Sequence, residues 1–102
     1  MSTFESLPLH DATLMRLTCE WREGVCTATL RLWEENTKQS RPYLLRWEGV
    51  TDVAIPRLQP WGPSVSVNTA TRDGKVYQLE MQSGDTIKVT AERVAFIPEG
   101  AA

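Results

Sequence analysis

The sequence predicts an all-β domain of about six or seven antiparallel strands, arranged in hairpins and a meander. Apolar and polar residues alternate with a period of two along most of the chain, as in strands that bury one face. Turn signals that contain glycine separate these stretches, and no segment shows the period of an amphipathic helix. Such strands form a sandwich or a partly open barrel, and the pattern does not choose between them.

Length and charge predict one domain, residues 1–102, and exclude several classes of function. A net charge of −2 gives no basic surplus for nucleic acid or a membrane surface, and no apolar run is long enough for a membrane helix. One His and two Cys are too few for a structural zinc site, and phosphate-loop, dinucleotide and hydrolase motifs do not occur. We therefore expect no metal and no cofactor. The two Cys, with no signal peptide, predict reduced thiols in the cytoplasm.

The first hairpin is predicted from two alternating stretches, 15–21 and 26–32, that flank the turn signal at 23–24. Pairing apolar with apolar residues sets Trp21 opposite Cys26, and a loop of two or four residues gives this register. A three-residue loop is rejected because it would place charged residues opposite the apolar face.

The same register places Cys19 and Cys26 on one face as diagonal neighbours. Diagonal residues of an antiparallel pair lie about 7–8 Å apart, which is too far for an easy disulfide. We therefore expect two reduced, buried thiols.

The outer face of this hairpin carries a candidate partner surface made of Leu14, Arg16, Arg31 and Trp33. The register sets Leu14 opposite Trp33, and two large apolar groups on a polar face indicate either a second packed layer or an interface. Arg16 falls opposite Arg31, so either a nearby acid relieves the like charges or the pair binds an acidic partner.

A polar loop is expected at 34–41, followed by a third strand over 43–50 that 51–55 extends. Three prolines and a glycine in 56–63 exclude a helix and a central strand, so this segment is an ordered loop or a crossing between sheets. Trp61 within it is expected to cover one end of the sheet.

Three more alternating stretches predict a meander, and they are 64–71, 76–82 and 86–91. Its turns are placed at 72–74 and 83–85. The apolar parity flips after the last stretch, which predicts a bulge or a break at 92–93.

The outer face of the meander is the best organised polar surface of the chain. Its predicted cross-strand rows are Ser64–Gln82–Thr86, Ser66–Glu80–Lys88 and Asn68–Gln78–Thr90. Short hydroxyl and amide side chains bind a ligand or partner at low entropic cost, although an ordinary solvated face has the same composition. Glu80 and Lys88 are expected to form an ion pair worth less than about 1 kcal/mol.

Leu9-His10-Asp11-Ala12, followed by Trp21, Gly24 and the block 45–50, resembles small bacterial β-domains that open with Leu-His-Asp-Ala or Leu-His-Asp-Ser. Some relatives belong to immunity-protein-like families of toxin systems. The resemblance implies an all-β fold and a protein-binding role, and it implies no catalytic residue.

His10 and Asp11 form the one sequential His–carboxylate pair, and with Trp61 they are the candidate loop site. A general base oriented by an acid is the functional interpretation, but neighbours on an extended chain point apart. A strand-entry pair in which Asp11 caps backbone N–H groups is favoured. Trp21 and Trp47 are expected in the core.

The sequence thus predicts a cytoplasmic module that binds another protein, with an immunity-like role as its specific form. A small-molecule binder or enzyme with a pocket near 56–63 and His10 is the first alternative. The second is a structural homo-oligomer, such as a homodimer joined through edge strands or through Leu14 and Trp33.

Overall fold

The computed structural model describes residues 4–34 and 38–99. Within them lie eight strands in two antiparallel sheets, which confirms the all-β fold and corrects the strand number of six or seven. The strands are β1 (Thr13–Glu20), β2 (Val25–Glu34), β3 (Gln39–Glu48), β4 (Asp52–Ala54), β5 (Val67–Asp73), β6 (Val76–Met81), β7 (Thr86–Thr90) and β8 (Arg93–Pro98). The described chain has one short 3-10 turn, Phe4–Ser6, and no helix long and apolar enough to cross a membrane.

Two four-stranded sheets form a sandwich-like arrangement that is not closed into a barrel among the described strands. Sheet A has the strand order β1-β2-β3-β8, and sheet B has the order β4-β7-β6-β5. The chain changes sheet between β3 and β4 and again between β7 and β8. The second change is the break predicted at 92–93, since β8 leaves sheet B and pairs with β3.

One hydrophobic core lies between the sheets. Trp47 is fully buried there, as predicted, and its ring lies against those of Phe4 and Tyr77 with centroids 6.4 Å away. Phe4 meets Tyr77 edge-on at 5.1 Å, so the 3-10 turn closes one side of the core with an aromatic group. Leu30, Leu45 and the inward residues of sheet B complete the packing.

The first hairpin has a different register from the predicted one. Its loop comprises residues 21–24, so that Cys19 lies directly opposite Cys26 instead of diagonal to it. Gly24 has a φ of 65°, and its N–H donates to the Glu20 carbonyl at 3.0 Å, which closes the longer turn. A shift of two residues preserves the faces of both strands, and hydrophobic alternation therefore cannot detect it. Trp21, predicted in the core, stands in this loop and is 96% exposed.

A bulge at residue 15 reverses the predicted faces at the start of β1. Leu14 lies opposite Leu30 and packs against the core, and Arg16 lies opposite Thr29 instead of Arg31. The bulge lies where the start of β1 also contacts the segment before β5, since Thr13 bridges to Ser66 and the Leu14 N–H donates to the Val65 carbonyl at 2.7 Å. The predictions for Leu14 and for the Arg16–Arg31 pair were therefore wrong.

Among the described residues of the expected polar loop at 34–41, residues 34 and 39–41 are strand. β2 continues to Glu34, which lies opposite Gln39 of β3, and residues 35–37 lie outside the described chain. The Tyr43 hydroxyl donates to Glu34 at 2.9 Å, and Arg41 pairs with the same carboxylate at 2.9 Å. Because these contacts satisfy the polar side chains on the inner face, the polar ends of β2 and β3 can pair as strands.

Sheet B contains the predicted meander in shifted registers. The β5–β6 turn lies at 74–75 instead of 72–74, and after a bulge at Asn68 Val67 lies opposite Met81. The β6–β7 turn lies at 82–84, so that Tyr77 faces Val89. The segment 56–63 is an ordered loop as predicted, but it joins the two edges of sheet B and does not cross between sheets.

Candidate binding groove

The predicted partner surface is only partly assembled. Arg16, Arg31 and Trp33 share the outer face of sheet A, whereas Leu14 turns toward the core. Trp33 is 59% exposed, as expected for that face. Arg31 donates to the hydroxyl and carbonyl oxygens of Ser40, at 3.2 Å each, so a neighbouring strand holds its guanidinium.

The structure brings His10 and Asp11 together with three residues of the predicted polar face. The Gln82 amide donates to Asp11 Oδ1 at 2.5 Å, and the His10 Nδ1 donates to the Asn68 carbonyl at 2.7 Å. Asn68 in turn donates to Glu80 at 2.7 Å. Asp11 has a φ of 67°, so the chain is not extended there, and His10 Nε2 lies 3.6 Å from its carboxylate.

The hydrogen bonds of His10 and Asp11 connect the segment before β1 to the end of sheet B. The Asp11 N–H donates to the Val67 carbonyl at 2.8 Å, and the Gln82 amide also reaches that carbonyl at 3.3 Å. Both the His10 and the Asp11 side chains are about two-thirds exposed or more, at 67% and 72%. The Asp11 carboxylate is held by the Gln82 side chain, and the capping of backbone N–H groups by Asp11 stays a prediction.

The predicted cross-strand rows of the meander were wrong because both turns shifted. Glu80 lies between Thr69 and Thr86, and Gln78 lies between Thr71 and Lys88, so the predicted Glu80–Lys88 opposition does not form. The two serines of that face precede β5. Ser66 bridges to Thr13 of β1, and the Ser64 hydroxyl lies 2.9 Å from that of Ser83.

A buried carboxylate holds the loop that contains Trp61. Asp85 accepts hydrogen bonds from the N–H groups of Leu58 and Gln59, each at 2.9 Å, and from the Ser83 hydroxyl at 2.8 Å. Burial on its own would raise the pKa of Asp85, but these hydrogen bonds outweigh it and hold the pKa below its ordinary value. Trp61 is 79% exposed and lies over Gly84, so it covers a turn and not the end of the core.

A groove lies beside β1, and no pattern in the sequence predicts it. From Arg16 to Glu20, β1 pairs with β2 and with no other described strand, so alternate backbone groups along its other edge are free. Leu17 and Cys19 point to the inner side, yet Leu17 is only half-buried and Cys19 is exposed. The edge strand of sheet B on this side, β4, has three residues and is too short to cover them.

Two open cavities along this edge make up the β1 groove. The larger, of about 610 Å³, is lined mainly by Cys19, Trp21, Cys26, Val50, Val53 and Ile55. The smaller, of about 320 Å³, is lined mainly by Leu14, Met15, Leu17, Ile55, Val65 and Ile87. Ile55 lines both, so the cavities adjoin. His10 lines neither of them.

Exposed apolar side chains concentrate at the groove. Four of the seven large apolar residues that are exposed in the described chain line it: Met15, Trp21, Ile55 and Val65. A contiguous exposed apolar patch on a small domain marks an interaction site more often than scattered residues do.

Charge is divided along the groove. Glu20 and Asp52 line the larger cavity, whereas Arg16 and Arg57 line the smaller one. No ion pair recorded between described residues uses any of these four side chains. The groove is therefore bordered by acidic groups at one end and by basic groups at the other, with Glu20 and Arg16 on its outer rim along the edge of β1.

The inner wall of the larger cavity contains two thiols. Cys26 is 3% exposed, and burial, followed by the hydrogen bond and charge of Cys19, raises the pKa of Cys26 to about 12. Both cysteines are free. Nowhere in 4–34 and 38–99 do three His, Cys, Asp or Glu side chains lie close enough to hold a metal ion.

No protein-family model, curated protein or solved structure matches this chain.

Proposed function

We propose that this protein is a non-enzymatic binding module that takes an extended segment of another protein into the β1 groove. The free edge of β1 beside an apolar cleft is the observation that carries the proposal. A polypeptide can pair with the free backbone groups of residues 16–20 as an added strand, while its alternate side chains enter the two cavities.

Charge complementarity specifies this segment further. Basic side chains fit the end that meets Glu20 and Asp52, and acidic side chains fit the end that meets Arg16 and Arg57. Apolar side chains between these ends would cover Ile55 and its exposed neighbours. Backbone pairing supplies affinity, and the two cavities with their opposite charges supply specificity.

A small apolar molecule is the second candidate occupant. The larger cavity, at about 610 Å³, is within the range of small-molecule sites, and its lining is mostly apolar. Pro56 and Arg57 line part of the smaller cavity, which supports a pocket near that loop. His10 lies outside both cavities, which removes the residue on which the enzymatic form of this alternative depended.

Peptide selection tests the proposed function. We would pan a phage-displayed library of random peptides on the immobilised protein and measure the affinity of synthetic copies of the enriched peptides by fluorescence anisotropy. Ile55→Asp should weaken binding about tenfold or more, because a charge would replace an apolar contact shared by both cavities. Leu58→Asp is the matched control, since Leu58 is 85% exposed but lines neither cavity.

Three results would contradict the proposal. The first is enrichment of the same peptides on the Ile55→Asp protein. The second is an absence of peptides together with binding of an apolar dye that Ile55→Asp abolishes, which would favour the small-molecule alternative. The third is a dimer in sedimentation equilibrium that Ile55→Asp dissociates, which would assign the groove to a second copy of this chain.

An immunity-like role and a cytoplasmic location extend this proposal. The resemblance of Leu9-His10-Asp11-Ala12 to immunity-protein-like domains makes a toxin the specific partner, and two free cysteines fit a reducing compartment. The neighbouring gene tests this extension. A toxin whose binding Ile55→Asp weakens would support it, and a neighbouring toxin that does not bind would contradict it.

A further inference from the structure

Cys19 and Cys26 are directly opposite each other in the β1–β2 hairpin. Opposed residues of an antiparallel pair have Cα atoms about 4.5 or 5.5 Å apart, and both values lie within the range that a disulfide spans. The two side chains share a face, and both thiols line the same cavity. A bond between them therefore requires no movement of either strand past the other.

The two thiols differ in their access to solvent. Cys19 is exposed at the mouth of the larger cavity, whereas Cys26 is buried deeper, opposite Trp47 of β3. Both line a cavity of about 610 Å³, which admits a small oxidant from the Cys19 side. An incoming reagent thus meets Cys19 first and finds Cys26 as the neighbouring thiol.

We infer that Cys19 and Cys26 are a modification site, at which a peroxide forms a reversible disulfide across the hairpin. This chemistry stands apart from the proposed function, because it requires only the two thiols and the oxidant.

The reaction balances in two steps. The Cys19 thiolate attacks one peroxide oxygen, the O–O bond breaks, and hydroxide leaves with the electron pair, so Cys19 becomes a sulfenic acid. The Cys26 sulfur then attacks the Cys19 sulfur, the S–O bond breaks, and water leaves with the Cys26 proton. Hydrogen peroxide is reduced to two waters as the two thiols are oxidised, and an external thiol reverses the change by exchange.

The buried resolving thiol predicts a distinctive time course. Cys26 is largely protonated at neutral pH because its pKa is raised, and a thiol attacks sulfur much more slowly than a thiolate does. The sulfenic acid on Cys19 should therefore persist long enough to be trapped by dimedone at pH 7. Raising the pH should increase the rate of the second step.

The experiment treats the folded protein with hydrogen peroxide and follows intact mass and free thiols. The expected product has lost the mass of two hydrogen atoms, has no free thiol, and recovers both thiols with dithiothreitol. Cys26→Ser should stop at a dimedone-reactive sulfenic acid, and Cys19→Ser should lose the early reaction. Cys26→Ala repeats the test with an apolar replacement, and circular dichroism verifies that each variant is folded.

Two results would overturn the inference. In the first, wild-type protein treated with peroxide in the absence of dimedone never forms a disulfide between Cys19 and Cys26. In the second, oxidised protein runs as a covalent dimer on non-reducing gels, which would show that Cys19 pairs between chains. Peptide binding is not measured here, so either failure leaves the proposed function untouched.

Discussion

At the residue scale, Leu30 and Trp33 on the two faces of β2 should contribute differently to the free energy of unfolding. Leu30 is completely buried between the sheets, and Trp33 is 59% exposed on the outer face of sheet A. Leu30→Ala should lower the free energy of unfolding by about 2–5 kcal/mol, because it leaves a cavity in a close-packed core. Trp33→Ala should lower it less, since most of that side chain is already in water.

Urea denaturation of both variants measures this difference. Light scattering would confirm that both proteins are monomeric under the conditions used. A larger loss for Trp33→Ala than for Leu30→Ala in a monomer would place Trp33 in the core and contradict the assigned face.

The wrong predictions for single residues all fall where the regular alternation of a strand is interrupted. Apolar alternation placed Trp47 and Leu30 correctly, because a period of two determines the face of a strand residue. It failed for Leu14 and Trp21, which lie at a bulge and in a turn. A bulge reverses the face on one side of it, and its position here depends on the bond from Leu14 to Val65, a contact between segments far apart in the chain.

At the scale of elements, the loop 55–66 depends on the buried carboxylate of Asp85. Asp85→Asn should destabilise this loop near neutral pH, because an amide replaces a carboxylate that accepts two backbone N–H groups and a hydroxyl. The folded-state pKa of Asp85 is lowered, so its stabilisation is complete above the ordinary value of 3.8 and is lost as the pH falls through the folded value.

The stability gap between wild type and Asp85→Asn should therefore narrow as the pH falls below 3.8. Urea unfolding across that range measures it, with Asp73→Asn as an exposed control. A gap that stays constant or widens in acid would show that the charge of Asp85 does not hold the loop.

The two connections between the sheets meet at Gly49. Gly49 has a φ of 67°, and a Cβ there would lie 2.8 Å from the Cβ of Glu92, whose N–H donates to the Glu48 carbonyl. Gly49→Ala should cost more than about 1 kcal/mol and more than Gly74→Ala. Gly74 is also left-handed, but nothing lies within 4 Å of its Cβ position. Equal losses in thermal unfolding would show that the connections are not tightly packed.

Elements were easier to predict than their registers. The strands of the meander and the break before β8 follow from local alternation, and each lies near its predicted place. The turns moved by one or two residues because Gly24 and Gly74 allow several loop lengths, and a shift of two keeps every apolar residue on its face. Opposition of Cys19 and Cys26 therefore could not be derived from the pattern.

At the scale of the whole molecule, the groove results from the unequal lengths of the edge strands β1 and β4. β4 has three residues and β1 has eight, so one edge of sheet A extends beyond the cover that sheet B provides. The incomplete burial of the inward residues Leu17 and Cys19 follows from this mismatch. Strand lengths in two different sheets set the groove, and the sequence pattern of either strand alone does not contain it.

Charge provides an independent prediction for the whole groove. Glu20→Lys together with Asp52→Lys should weaken selected peptides with a basic end about tenfold and should favour peptides with an acidic end there. Glu23→Lys together with Glu99→Lys, which makes the same change of net charge outside the cavity lining, is the control. Affinities that respond equally to both changes would mean that only the net charge matters.

Amide hydrogen exchange with and without a selected peptide tests the central claim most directly. If the occupant adds a strand to the free edge of β1, alternate amides within residues 16–20 that do not bond β2 should become protected on binding. The exchange rates of the amides that hydrogen-bond β2 to β3 should change little. Protection that appears on the outer face of sheet A or at 64–82, with exchange at 16–20 unchanged, would contradict binding in the β1 groove.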